Sequence, residues 1–280
     1  MSGYKHLPPI KIPLIATIIL LLLLTAASPI AVAQTGSSGQ QTVAGFEFLG
    51  MVSFETGFDF AGTEVGGLSS IDFDPHRDVY YVLSDDPSQI NPARFYTVSI
   101  DVSDGFLDPG DVSFTGATFL ETKPRTTFPP LSLDPEGLTL THPGTLYISS
   151  EGNAGASPPI DPFVNRFNLT GRQNRALTVP DKFLPNADNT KGVRTNLAFE
   201  SLTSTPNERR LITATEAALV QDGPPATLGN GSPARVLQYD LGSKRPGPEY
   251  VYVVDPIFAT PVGSPRGFCR QWTGRTAASR

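Results

Sequence analysis

At 280 residues, 39% of them hydrophobic, the chain is long enough for one large domain or two small ones. Its 21 Lys and Arg against 27 Asp and Glu give a net charge of −6, a balance that disfavours nucleic-acid binding, because phosphate backbones demand clustered basic residues. With 26 Gly, 27 Pro and one cysteine, it suits short strands joined by many turns; the single cysteine excludes an internal disulfide framework and a Cys/His zinc site.

Residues 1–33 read as an export signal. Lys5 and Lys11 flank a polar start, Leu14 to Ala27 is apolar, and Ala31-Val-Ala33 supplies small residues for cleavage before Gln34. A retained anchor is the rival reading, but the apolar run falls short of the ~20 residues needed to span a bilayer. Cleavage leaves 19 basic against 27 acidic residues, a net charge of −8. The expectation is a secreted or periplasmic monomer with no stable membrane insertion once the leader is removed. Residues 34–42 are Gly/Ser/Gln-rich and read as a flexible lead into a domain over 43–263.

From Val43 onward, strand-like runs alternate with turns, beginning with Phe46-Glu-Phe-Leu. One pattern then occurs three times. Its fullest copy is Asp134-Pro-Glu-Gly-Leu-Thr-Leu-Thr-His-Pro-Gly-Thr-Leu-Tyr-Ile-Ser-Ser-Glu151: an acidic turn, a strand, a His-Pro-Gly turn, and a strand ending on a carboxylate. An earlier copy runs from Gly67-Leu-Ser-Ser-Ile-Asp-Phe-Asp-Pro to Asp85 and Asp86, and a later one from Phe199-Glu200-Ser-Leu to Glu216. Ser70, Gly137 and Ser201 align, at an interval of about 65 residues, within reach of propeller blades with long loops. Each copy is followed by a strand with an arginine near its start, Arg94, Arg166 or Arg235. Asp181 to Asn196 has room for a short helix limited by Pro185 and Gly192, and Tyr250 to Asp255 reads as the start of a fourth unit. A β-sandwich would also have short, even strands, but has no reason to repeat a blade-sized pattern.

The motifs G-L-S-S-I-D-F-D-P with Tyr-Val-Leu-Ser-Asp-Asp, D-P-E-G-L with Tyr-Ile-Ser-Ser-Glu-Gly, and N-L-A-F-E-S-L with Thr-Glu resemble the phytase-like family, described by "esterase-like activity of phytase". The resemblance runs from about Gly45 to Pro261. It implies an all-β β-propeller, here incomplete, and hydrolysis of phosphate monoesters by analogy with calcium-dependent phytases. There is no G-x-S-x-G, so a nucleophile-elbow esterase is disfavoured.

The repeat carboxylates Asp85, Asp86, Glu136, Glu151, Glu200 and Glu216 are the candidate metal ligands. Superposed repeats would bring them together, converging carboxylates require a cation, and hard oxygen donors select Ca²⁺. The structural alternative is that these acids accept backbone N–H bonds and tie strands together. Arg94, Arg166 and Arg235 are candidate substrate-binding groups for a phosphorylated small molecule, or equally partners for carboxylates. His76 and His142 occupy turns and read as solvated punctuation. No catalytic residue is identified. Two functions stay open: metal-assisted phosphate-ester hydrolysis, or a non-catalytic propeller that binds a ligand or partner with Ca²⁺ as a structural ion only.

Residues 264–280 break the pattern. They contain the only Cys and Trp, Cys269 and Trp272, and no alternation. Decoded one base later, this tail can read Ala-Ala-Asn-Gly-Leu-Val-Glu-Leu-Leu, which resembles the strand expected next in the family. The expectation is a shifted reading frame and a chain that lacks its closing blades.

Overall fold

The computed structural model describes residues 45–142 and 144–259. The expected leader, the 34–42 segment and the 264–280 tail with Cys269 and Trp272 all lie outside the described residues.

A two-stranded hairpin, β1 (Asp59–Phe60) with β2 (Thr63–Glu64), precedes three four-stranded antiparallel sheets. The first holds β3 (Leu68–Asp74), β4 (Val79–Ser84), β5 (Arg94–Ile100) and β6 (Val112–Phe119). The second holds β7 (Pro135–Thr141), β8 (Thr145–Ser150), β9 (Phe163–Asn168) and β10 (Gln173–Ala176). The third holds β11 (Phe199–Ser204), β12 (Arg210–Thr215), β13 (Ser232–Asp240) and β14 (Arg245–Val254). Each sheet is a meander in sequence order, which is the blade of a β-propeller. The blades meet through β3, β7 and β11, the first strand of each, and the second blade packs against both others.

Alternation along each strand builds these interfaces. Tyr81 and Leu83 turn one way to meet Leu138, Leu146, Ile148 and Phe167 of the second blade. Val82, Tyr96 and Val98 turn the other way, under Phe60 and Val65 from the β1–β2 hairpin. Tyr147 and Val164 use the second blade's opposite face to meet Phe199, Leu202, Leu211, Leu237 and Tyr239 of the third. Between first strands the approach is close: a Cβ on Gly137 would stand 2.6 Å from the backbone nitrogen of Leu202 and 2.6 Å from Ser149 Oγ. Polar bonds span the same seams. Leu138 N–H donates to Ser70 Oγ at 2.9 Å, and Leu140 N–H to Asp72 Oδ2 at 2.7 Å.

Two expectations are corrected, and the short helix expected within Asp181 to Asn196 is present. Tyr250 to Val254 does not open a fourth unit; it is the end of β14, the outermost strand of the third blade, paired with Ser232 to Val236. Its aliphatic and aromatic alternation resembles that of a first strand, but only long-range pairing decides which strand it joins. Phe46 to Leu49 forms no strand, and Gly50 makes only a single bridge to Leu107. Within Asp181 to Asn196 the helical content is one 3-10 turn, Asp181–Phe183, held by Phe183 N–H on Pro180 O. Among the described residues the three blades form an open arc, with no ring closure between the first and third.

Candidate metal centre

The three copies of the repeat superpose in their hydrogen bonding. The residue after each second strand donates its N–H to the residue before each first strand: Asp85 to Gly67 O at 2.7 Å, Glu151 to Asp134 O at 2.9 Å, and Glu216 to Ala198 O at 2.9 Å. Asp85, Glu151 and Glu216 are therefore equivalent, as the sequence alignment expects.

Each first strand is also irregular at the same place. The register shifts between Leu68 and Ser70, between Pro135 and Leu138, and between Phe199 and Ser201. The residues inside these shifts include Ser69, Glu136 and Glu200. A β-bulge leaves an extra residue unpaired in the ladder and re-aims its side chain. Here it turns Glu136 and Glu200 at the strand end where Glu151 and Glu216 emerge. Two overlapping carboxylate triads result: Asp134, Glu136 and Glu151, and Glu151, Glu200 and Glu216, each with one oxygen per residue within 4.8 Å of the others. Glu136 and Glu151 are buried, and Asp134, Glu200 and Glu216 are half-buried. Glu151 belongs to both triads, and its Oε1 accepts the backbone N–H of Ala198 at 2.5 Å across the blade seam.

This donor set fits Ca²⁺. Calcium binds carboxylate oxygens at about 2.3–2.6 Å, so two oxygens on one ion stand at most about 4.6–5.2 Å apart, and the 4.8 Å grouping meets that limit. All the donors are oxygen, which disfavours the softer transition metals.

The structure brings together four of the six sequence-derived ligands, Glu136, Glu151, Glu200 and Glu216, and adds Asp134. Asp134 heads the repeat motif, but its equivalents are Gly67 and Ala198, so equivalence between copies gives no sign of a ligand there. Asp85 holds the first blade's equivalent of Glu151 and lies outside both triads; its carboxylate covers Gly67, where a Cβ would stand 1.7 Å from Oδ1. Asp86 lies one residue further on, with a different task. Its oxygens accept N–H groups of Gln89, Ile90 and Asn91 and the Arg94 guanidinium, the last at 2.9 Å. Burial pushes its pKa up, but the Asn91 N–H, Arg94 and the Ile90 and Gln89 N–H groups outweigh burial, so the carboxyl sits below its ordinary range.

The three arginines are not equivalent in register. Arg94 adjoins the Leu83–Phe95 pair and Arg235 the Ala214–Val236 pair, so both lie at the carboxylate end of their blades. Arg166 pairs with Tyr147, three residues back from Ser150. Arg94 is 1% exposed and spends its donors on Tyr96 Oη, Asp86 Oδ2, Pro92 O and Glu64 O. Arg235 Nε donates to Asp222 Oδ2 at 2.7 Å, and Arg166 Nε to Asn174 Oδ1 at 2.6 Å. Asp86 with Arg94 and Asp222 with Arg235 are thus parallel ion pairs between a loop acid and a third-strand arginine of the same blade.

Among the described residues, no helix is long and apolar enough to cross a membrane. No curated protein matches the chain. Similar solved structures include the Dos1 propeller, at 10% identity and a TM-score of 0.35 over 69% of this chain and 38% of that one. The periplasmic gluconolactonase PpgL of Pseudomonas aeruginosa is similar at 12% identity and a TM-score of 0.36, over 73% of this chain and 61% of that one. Hydrazine synthase of Kuenenia stuttgartiensis follows at 13% identity and a TM-score of 0.30, over 70% of this chain and 53% of that one. The chain thus spans between 38% and 61% of the length of these structures. Residues 63–278 match the model of a family described as "Phytase-like: Esterase-like activity of phytase". That match takes in all three bulged blades and every carboxylate of both triads, and the chain belongs to the phytase-like family.

Proposed function

We propose that this is an exported, Ca²⁺-dependent hydrolase of phosphate esters. The observation that carries this reading is the pair of overlapping triads contributed by two neighbouring blades. Glu136, Glu151, Glu200 and Glu216, with Asp134, would hold the metal. Bound Ca²⁺ would supply charge screening for an incoming phosphate, polarisation of the P–O bond and a more acidic water. The chain's own contribution is placement. The bulges aim Glu136 and Glu200, and the seam bond from Ala198 N–H fixes Glu151 before any ligand arrives. Burial of Glu136 and Glu151 lowers the local dielectric and strengthens every charge interaction there. Arg235, a quarter exposed and at the same blade end, is the arginine best placed to meet a phosphorylated small molecule; Arg94 is enclosed by its partners. Secretion or residence in the periplasm would place the site where extracellular Ca²⁺ can reach it.

The second reading is a binding propeller in which Ca²⁺ only braces the seam. It is favoured by the Glu151 bond to Ala198, which already joins two blades without substrate. Release of phosphate from p-nitrophenyl phosphate and from phytate, with Ca²⁺ and with chelator, separates the two. Hydrolysis that needs Ca²⁺ and falls in Glu216→Gln supports the enzyme. Ca²⁺-dependent melting with no hydrolysis in any condition leaves the binding propeller.

A further inference from the structure

The opposite end of the blades, where first and second strands turn, carries another cluster. His76, His142 and Glu208 sit in corresponding turns of the three blades, and His142 is 66 residues from each of the other two. Seven-residue first strands separate this end from the carboxylate triads by roughly 20 Å at about 3.3 Å per residue.

Glu208 holds His142 twice. Its Oε2 accepts the His142 backbone N–H at 2.8 Å, and its Oε1 lies 3.0 Å from the ring Nδ1. An ionised carboxylate only accepts, so Nδ1 donates to it, which leaves Nε2 as the ring nitrogen that faces away from Glu208. Nε2 meets Nε2 of His76 across the seam in a direct ring-to-ring hydrogen-bond contact, with ring centroids 4.3 Å apart and planes at 74°. The His76 turn is itself pinned, since its backbone N–H donates to Asp74 Oδ1 at 2.9 Å. A cavity of about 360 Å³ opens beside the two rings, walled by Asp74, Arg77, Leu140 and Gly144.

We propose that His76 and His142 form a site for a borderline divalent ion of the Zn²⁺ class, with Glu208 as the positioning residue. The two facing Nε2 atoms stand closer than the roughly 3.3 Å that separates two ligands of one tetrahedral ion, so binding parts the rings by about 1 Å; two imidazoles are then the donor set that Zn²⁺, Ni²⁺ and Cu²⁺ prefer and Ca²⁺ does not. A carboxylate on the far ring nitrogen fixes the tautomer and raises the basicity of the ligating one. Asp74 is not a ligand: Oδ1 accepts the N–H groups of His76 and Arg77, and Oδ2 accepts Arg77 Nη1 at 2.7 Å. Two protein ligands leave positions open toward the cavity for water or a small anion, with the Arg77 guanidinium on its wall.

The test is titration of the full chain with Zn²⁺ in the presence of saturating Ca²⁺, read by calorimetry and by the histidine ring signals in NMR. One saturable site is expected, with both His76 and His142 ring signals shifting in the wild-type protein. His76→Gln and His142→Gln should each weaken it by more than about tenfold, and Glu208→Gln by about 10–100-fold, the range for losing a carboxylate behind a ligating histidine. Glu151→Gln should leave the Zn²⁺ isotherm unchanged, which separates this site from the carboxylate triads. Absence of saturable binding, ring signals that ignore Zn²⁺, or wild-type affinity in either histidine variant would each overturn the proposal and leave a hydrogen-bonded histidine pair.

Discussion

Ala198 is held from both sides by the carboxylate ends of two blades: its N–H donates to Glu151 Oε1 at 2.5 Å and its carbonyl accepts the Glu216 N–H at 2.9 Å. Bulge, seam and metal site are therefore one construction, and two substitutions at Glu151 separate its tasks. Glu151→Gln keeps an oxygen for the Ala198 N–H but removes the charge. It should weaken Ca²⁺ binding by about tenfold or more, about 1.4 kcal/mol, while leaving the metal-free protein close to wild type. Glu151→Ala loses both and leaves a buried N–H without its acceptor, at a cost of about 1–3 kcal/mol in metal-free stability. Calorimetry with Ca²⁺ and urea melts in chelator read the two effects. Equal Ca²⁺ affinity in wild type and both variants would sink the metal reading.

Gly137 tests the closeness of the blades. Its added Cβ would meet Leu202 backbone and the Ser149 side chain at 2.6 Å, and the backbone cannot yield without opening the seam. Gly137→Ala should destabilise the protein by about 1–3 kcal/mol, the range for overpacking a filled interior. Gly116→Ala is the control, because its Cβ would find Thr97 Oγ1 at an ordinary 3.5 Å. Comparable melting of the two variants would mean that the second and third blades stand farther apart than they do here.

Much of this was legible before the fold. Period and motif place Asp85, Glu151 and Glu216 at equivalent strand ends because alternation and turn chemistry are local properties, and their shared N–H bonds bear out that equivalence. What period cannot carry is register. The bulges that turn Glu136 and Glu200 need one strand to slip past another, and nothing at Pro135 or Phe199 alone announces it. The same limit explains Tyr250 to Val254, which has the composition of a first strand and the partner of a last one. Asp134 lacks an acidic counterpart in the other copies, so repetition hides it. His76 and His142 were legible only as turn residues; the signal that joins them is their 66-residue separation, equal to that between His142 and Glu208.

The Asp86–Arg94 pair sets an acid limit on the first blade. Asp86 is 6% exposed, Arg94 is 1% exposed, and Nη1 lies 2.9 Å from Oδ2. A folded-state pKa below the unfolded value of about 3.9 means the contribution is fully present above that value. It is lost as pH falls through the lower, folded value, because the unfolded chain takes up the proton first. Asp86→Asn should remove that acid-dependent portion and leave a buried guanidinium without its counter-charge, destabilising by about 3–5 kcal/mol at neutral pH. Urea melts from pH 7 down to pH 3 check both statements. An Asp86→Asn variant with wild-type stability at pH 7 would show the pair to be dispensable.

The outermost strand of the third blade is the last test. β14 pairs with β13 along one edge, and its other edge is unpaired among the described residues. Tyr250, Val251, Tyr252 and Val253 are between 55% and 64% exposed, so both faces of this segment meet solvent. Unpaired N–H and C=O groups beside exposed β-branched and aromatic side chains make a template for another chain. Val253→Lys places a charge at that edge, opposite Pro233, which has no N–H to contribute to the ladder. Because Val253 buries little, the substitution should change stability by no more than about 0.5 kcal/mol. It should nonetheless slow the growth of light scattering at fixed concentration and temperature. A marked loss of cooperative melting in Val253→Lys would mean that another surface covers this edge. Unchanged scattering with unchanged melting would mean that association starts elsewhere, with exposed Ile71 and Phe73 of β3 as the next surface to charge.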